Sequence, residues 1–134
     1  MTGLFENAEI IHSYSRADAI RDCVLVDAGS TAREAAFTVP VALTIAAWSE
    51  AVAWTEGNRA YQDEAGRLWD VLTMARHAIR ASTPGPASDR CKFRVLRVPN
   101  TARASVARLL ELELHIGPGD DGAPVITIGL PGQD

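Results

Sequence analysis

Apolar and polar positions change their period along the chain, and each change marks an element. Ala8 to His12 and Cys23 to Val26 are short apolar runs with the length and β-branched content of strands. Between them Ser15 to Asp22 reads as a short helix. Ser15 suits the N-cap, Asp18 stands three residues later where a capping-box acid lies, and Ala17, Ala19 and Ile20 supply a small apolar face. Thr31 to Ala36 is weakly helical. Pro40 then suits the first position of a helix running to about Trp54, with Val41, Ile45, Trp48 and Val52 on one face. Ala46, Ala47, Ala51 and Ala53 widen that apolar surface, which makes Trp48 a core residue and the helix a central one.

Asp63-Glu64-Ala65-Gly66 reads as a tight turn. The clearest helical period follows: Leu68, Val71, Leu72, Ala75, Ala78 and Ile79 recur at i, i+3, i+4, i+7 spacing and stop before the loop Ser82-Thr83-Pro84-Gly85-Pro86. The last third alternates instead. Cys91, Phe93 and Val95 form one strand, Leu110, Leu112, Leu114 and Ile116 a second, and Val125, Ile126 and Ile128 a third. Gly117 to Gly122 closes a hairpin between the last two. The expected architecture is one α+β domain over residues 1–134, with two main helices packed on one face of an antiparallel sheet and a C-terminal β-meander.

Composition narrows the class. The 134 residues are 47% hydrophobic and 22% charged, as in ordinary folded domains. No apolar run approaches the eighteen or so residues that span a bilayer, and Met1 to Tyr14 lacks the basic start and apolar stretch of a secretory signal, so a cytoplasmic protein is expected. Cys23 and Cys91 are too few for a disulfide framework and read as small buried hydrophobes. The net charge is −4, yet residues 76–108 alone carry +7, leaving −11 elsewhere. This uneven distribution is read first as a solvated surface of mixed charges that pair across the fold, and alternatively as a basic strip set apart from an acidic majority as a recognition surface.

Candidate chemistry is sparse. His12, His77 and His115 are far apart and no Cys or His pair has ligand spacing, so neither a metal nor a cofactor is expected. His77 falls off the apolar face near a helix end and His115 on the polar face of its strand, both as solvated side chains. No glycine-rich loop precedes a helix in the way phosphate cradles require. The basic strand offers Arg90, Lys92, Arg94 and Arg97, interleaved with Phe93, as a weak nucleic-acid surface. The exposed turns offer Asp63, Glu64, Asp120 and Asp121 as acidic contacts for a protein partner, although turns also use Asp for local geometry.

Two resemblances add to these readings. Ile10-Ile11-His12-Ser13-Tyr14-Ser15, the short helix through Ile20-Arg21-Asp22, and Val24-Leu25 resemble the first motif of ADP-ribosyltransferase-like proteins. That resemblance implies that His12 and Tyr14 hold a nicotinamide dinucleotide, with Glu111 or Glu113 orienting the attacking group. Leu4 to Asp22, Tyr61 to Leu72 and Gly117 to Ile128 together resemble an uncharacterised family of small bacterial proteins carried on plasmids, phages and integrative conjugative elements. Glycine is expected after the Arg21-Asp22 pair, and Cys23 stands there. The second resemblance implies a setting: a non-enzymatic accessory protein that binds a host protein or protein–nucleic-acid complex, such as a CRISPR effector, and inhibits host defence. The enzyme and the weak nucleic-acid binder are the alternatives.

Overall fold

Ser15 opens the first helix as its spacing to Asp18 predicts. In the computed structural model, which describes residues 14–55, 63–81, 89–100 and 106–132, the Asp18 amide donates to Ser15 Oγ at 2.9 Å and the Ser15 amide to Asp18 Oδ2 at 3.3 Å. This reciprocal box starts α1, Arg16–Arg21. The strand expected at Ala8 to His12 and the loop at Ser82 to Pro86 lie outside the described residues.

Helix α1 ends in a left-handed turn. The Cys23 amide donates to the Ile20 carbonyl and the Val24 amide to the Ala19 carbonyl, the two bonds of a Schellman motif, and Cys23 takes φ 62°. Cys23 is therefore exposed, where burial in a strand was expected, because it caps the helix instead of opening β1, Leu25–Asp27. A side chain in this backbone region costs about 1–2 kcal/mol, against roughly 0.5–1 kcal/mol of extra chain entropy for glycine. Cys23→Gly is thus expected to stabilise the protein by about 0.5–1 kcal/mol, read as a higher midpoint in urea. A lower midpoint contradicts the strain. The same motif ends α2, Gly29–Glu34, through Ala36 at φ 71°.

The segment after Pro40 departs most from expectation. Val41–Thr44 is strand β2, and the helix, α3, occupies only Ile45–Ala51. Pro40 tolerates a strand start, its carbonyl accepts from the Ile126 amide at 2.9 Å, and Thr44 turns the chain by accepting the Ala47 amide on Oγ1 at 3.1 Å. Helix α4 is Glu64–Ala81. The expected turn at its start is its first turn, since Asp63 Oδ1 accepts the Gly66 amide at 2.6 Å.

Strands β3 (Arg90–Arg97), β4 (Arg108–Pro118) and β5 (Pro124–Gly129) form the expected meander. The complete sheet runs β1-β2-β5-β4-β3, antiparallel except where β2 lies parallel to β5. The α+β class stands, and the sheet is mixed. Leu43, Phe93, Val95, Leu112, Leu114, Ile126 and Ile128 face one side, where Leu68, Val71, Leu72 and Ala75 of α4 and Ala47 and Ala51 of α3 close the core. On the other side α1 covers one end, with Arg16 donating from Nη1 to Thr127 Oγ1 and from Nη2 to the Ile126 carbonyl, both at 2.7 Å. No helix among the described residues is long and apolar enough to cross a membrane.

Two buried arginines join α3, α4 and β3. Arg67 is 2% exposed and Arg97 6%. Arg67 donates to the carbonyls of Val52 (2.9 Å), Val98 (2.9 Å) and Glu50 (3.4 Å), and its guanidinium lies 4.9 Å from the Trp54 ring centre. Arg97 reaches the Ala51 carbonyl at 3.3 Å and Asp70 at 2.9 Å. The carbonyls of residues 50–52 end α3, so the arginines serve as its C-terminal cap. Burial and the neighbouring Arg97 charge push the Arg67 pKa down from its ordinary value.

Candidate binding face

The face of the sheet away from the core carries most of the polar candidates. Alternation along β3 turns Arg90, Lys92, Arg94 and Leu96 to this side, and antiparallel register sets them opposite His115, Glu113, Glu111 and Leu109. Arg97 has the other parity and faces the core. It is withdrawn from the basic surface expected of Arg90, Lys92, Arg94 and Arg97.

Two of the remaining three cations meet acids. Arg90 pairs with Glu113 at 3.3 Å, Arg94 with Glu111 at 3.8 Å, and His115 Nε2 lies 3.1 Å from Asp89 Oδ2. Pairs this exposed stabilise the fold by only about 0–1 kcal/mol each. Their effect on the field is larger, because alternating signs cancel at a few ångströms. The predicted basic strip is therefore laced with carboxylates along β3. Since β3 is the sheet edge, its cations also oppose edge-to-edge pairing. The ladder ends in an apolar rung, Leu96 beside Leu109, 60% and 64% exposed.

At the other end the face sinks into a groove between α1 and the strands, formed by adjoining hollows of about 420 and 320 Å³. Leu25, His115 and Thr127 belong to both hollows; Tyr14 and Arg16 line one, Arg90 and Glu113 the other. Tyr14 and Glu113 thus share a groove with His115 between them. Glu111 lies two residues farther along β4, and His12 is outside the described residues. The polar groups are mutually engaged: the Tyr14 hydroxyl donates to Asp22 at 2.8 Å, Glu113 holds Arg90, and Thr127 Oγ1 accepts from Arg16. Hydrogen bonding to Asp22 pushes the Tyr14 pKa up, and burial pulls that of Arg16 down against the opposing pull of Asp27 and Asp120. Catalysis by a nucleophile would need a hydroxyl or thiol bonded to a base. Among the described residues of the groove, His115 is bonded to the Asp89 carboxylate and the Tyr14 hydroxyl to that of Asp22.

The four acidic candidates are each bonded to a backbone amide. Asp120, from the β4–β5 hairpin, accepts the Arg16 and Ala17 amides at 2.8 and 3.0 Å and so completes the cap of α1 from across the fold. Asp121 accepts the Ala123 amide at 3.0 Å and Glu64 the Trp54 amide at 2.9 Å, while Asp63 caps α4. Local geometry accounts for all four.

Ser15, first through its side chain and then through its amide, holds the Asp18 carboxyl below its ordinary value of 3.8. A depressed folded-state pKa adds stability above the unfolded value and loses it as pH falls through the lower folded one. Acid unfolding of the parent is accordingly expected to show a component below pH 3.8 that Asp18→Asn removes. Identical acid limbs in the two proteins would contradict this.

The chain belongs to the Family of unknown function (DUF6573), whose model matches residues 1–134. No curated protein and no solved structure matches it.

Proposed function

We propose that this member of DUF6573 is a non-enzymatic binding domain that engages a partner protein through the open face of its sheet. In its narrower form it is a cytoplasmic accessory protein of a mobile element that occupies a surface on a host-defence complex of the CRISPR-effector kind. The observation that supports a binding role is the Leu96–Leu109 rung, two large apolar side chains side by side in water beside a ladder in which Arg90 and Arg94 are already paired. Covering such a face removes apolar area from water at about 25 cal/mol per Å² and leaves few charges without a partner. The acids expected as partner contacts are committed to helix caps and turns, so the apolar rung supplies the affinity and the ladder the register.

The test is surface plasmon resonance of the whole chain against purified CRISPR effector complexes and restriction enzymes. A stable complex is expected, weakened at least about tenfold in Leu96→Asp/Leu109→Asp, since two interface leucines exceed 1.4 kcal/mol. Both positions are solvent-facing, and a thermal melt confirms folding. No complex across the panel defeats the narrower reading, and one insensitive to the double variant defeats the assignment of the face.

A further inference from the structure

On the opposite side of the molecule, two cations make no ion pair among the described residues, in contrast to Arg90 and Arg94 on the sheet. They are Arg76 and Arg80, one turn apart on α4. Both line a hollow of about 210 Å³ closed on its far side by the end of α2, with His77, Thr73 and Trp69 completing the α4 wall. Trp69 is 42% exposed. The spacing 69, 73, 76 and 80 is i, i+4, i+7, i+11, so one helical stripe carries an aromatic face, a small residue and two guanidinium groups. Thr73 turns its hydroxyl back to the Trp69 carbonyl at 2.8 Å. Trp69, Arg76 and Arg80 all border the same hollow.

We infer that this hollow binds a nucleotide, its phosphate bridging Arg76 and Arg80 and its base stacking on Trp69. Two like charges one turn apart repel each other, and an anion between them relieves that repulsion while accepting charge-assisted hydrogen bonds from both forks. Glu34 lines the hollow as well. One carboxylate against two guanidiniums leaves a positive excess that a phosphate neutralises. The indole face selects a planar base over a bare anion, and base stacking on an aromatic side chain is the second half of the affinity. The shared chemistry is a phosphate carrying a base, whether free or within a single strand.

The test titrates the full chain with inorganic phosphate, AMP and a short oligothymidylate, following backbone amide shifts of α4. Saturable shifts at residues 69–80 are expected, tighter for AMP than for phosphate. Arg76→Gln/Arg80→Gln weakens all three ligands by about tenfold or more. Trp69→Leu weakens the base-bearing ligands by a similar factor and leaves phosphate unchanged. Affinity for the oligothymidylate far above that for AMP assigns the site to a single strand, whereas equal affinities assign it to a free nucleotide. Absence of saturable shifts with every ligand at millimolar concentration overturns the inference. So does binding that survives Arg76→Gln/Arg80→Gln and disappears in Arg90→Gln/Lys92→Gln/Arg94→Gln, which would place the anion on β3.

Discussion

Replacing Arg67 with methionine is expected to lower the unfolding free energy by about 3–5 kcal/mol. In a domain of this size that moves the thermal midpoint down by roughly 10–20 °C. Methionine has the length to fill the site but donates nothing. The carbonyls of Val52 and Val98, each 2.9 Å from the guanidinium, lose their donor, and the longer bond to Glu50 goes with them. A buried acceptor left without a partner costs about 1–3 kcal/mol. The ring contact with Trp54 adds a smaller loss. The nearby carboxylate is a minor contributor: Asp70 pairs with Arg97 at 2.9 Å but is 60% exposed, so Asp70→Asn should cost under about 1 kcal/mol. Arg67→Lys should recover only part of the loss, because one ammonium cannot reach carbonyls that lie in different directions. Urea unfolding of the four proteins checks the order, and a methionine variant within about 1 kcal/mol of the parent would show that the helix end needs no such cap.

Those arginines were legible in part. Arg97 continues the parity of Cys91, Phe93 and Val95, not that of Arg90, Lys92 and Arg94, so strict alternation already turns it inward. Arg67 stands four residues before Val71 and eight before Ala75, on the buried stripe of α4. Charge alone masked both positions. Features set by nearby residues read well from sequence: the Ser15–Asp18 box, the period of α4 and the meander each rest on contacts a few residues apart or on simple alternation. The acidic turns read ambiguously, since an aspartate that caps a backbone amide and one that faces a partner look alike until the amide is located. The groove was legible only through the ADP-ribosyltransferase-like resemblance, which brought Tyr14 and Glu113 together; periodicity and charge did not show it. It joins Tyr14, Glu113 and Thr127, and the completed sheet order brings them together.

Leu43→Ala carries the second large expected effect, a loss of about 2–5 kcal/mol. It also separates two structures for the same residues. As a helix from Pro40, the chain would point Leu43 about 180° away from the face of Val41, Ile45, Trp48 and Val52, because Leu43 follows Val41 by two steps of 100°. Truncation there would be nearly neutral, alanine being the better helix former. In β2, Leu43 is 0% exposed and sits between Val26 on one side and Ile128 on the other. Strands paired on both edges restrict collapse into the space a deleted isobutyl group leaves, so the cost belongs in the upper half of that range. The helical period over 41–52 arises because a strand buried on both faces presents an unbroken apolar run, and such a run satisfies either spacing. The partner that selects the strand, β5, lies more than eighty residues away. Hydrogen exchange supplies the second readout: loosening β2 should accelerate exchange at Ile126 and Ile128, which a solvent-facing helical leucine would leave untouched. A midpoint unchanged in Leu43→Ala, with those amides still protected, would exclude the parallel pairing on which the whole sheet order rests.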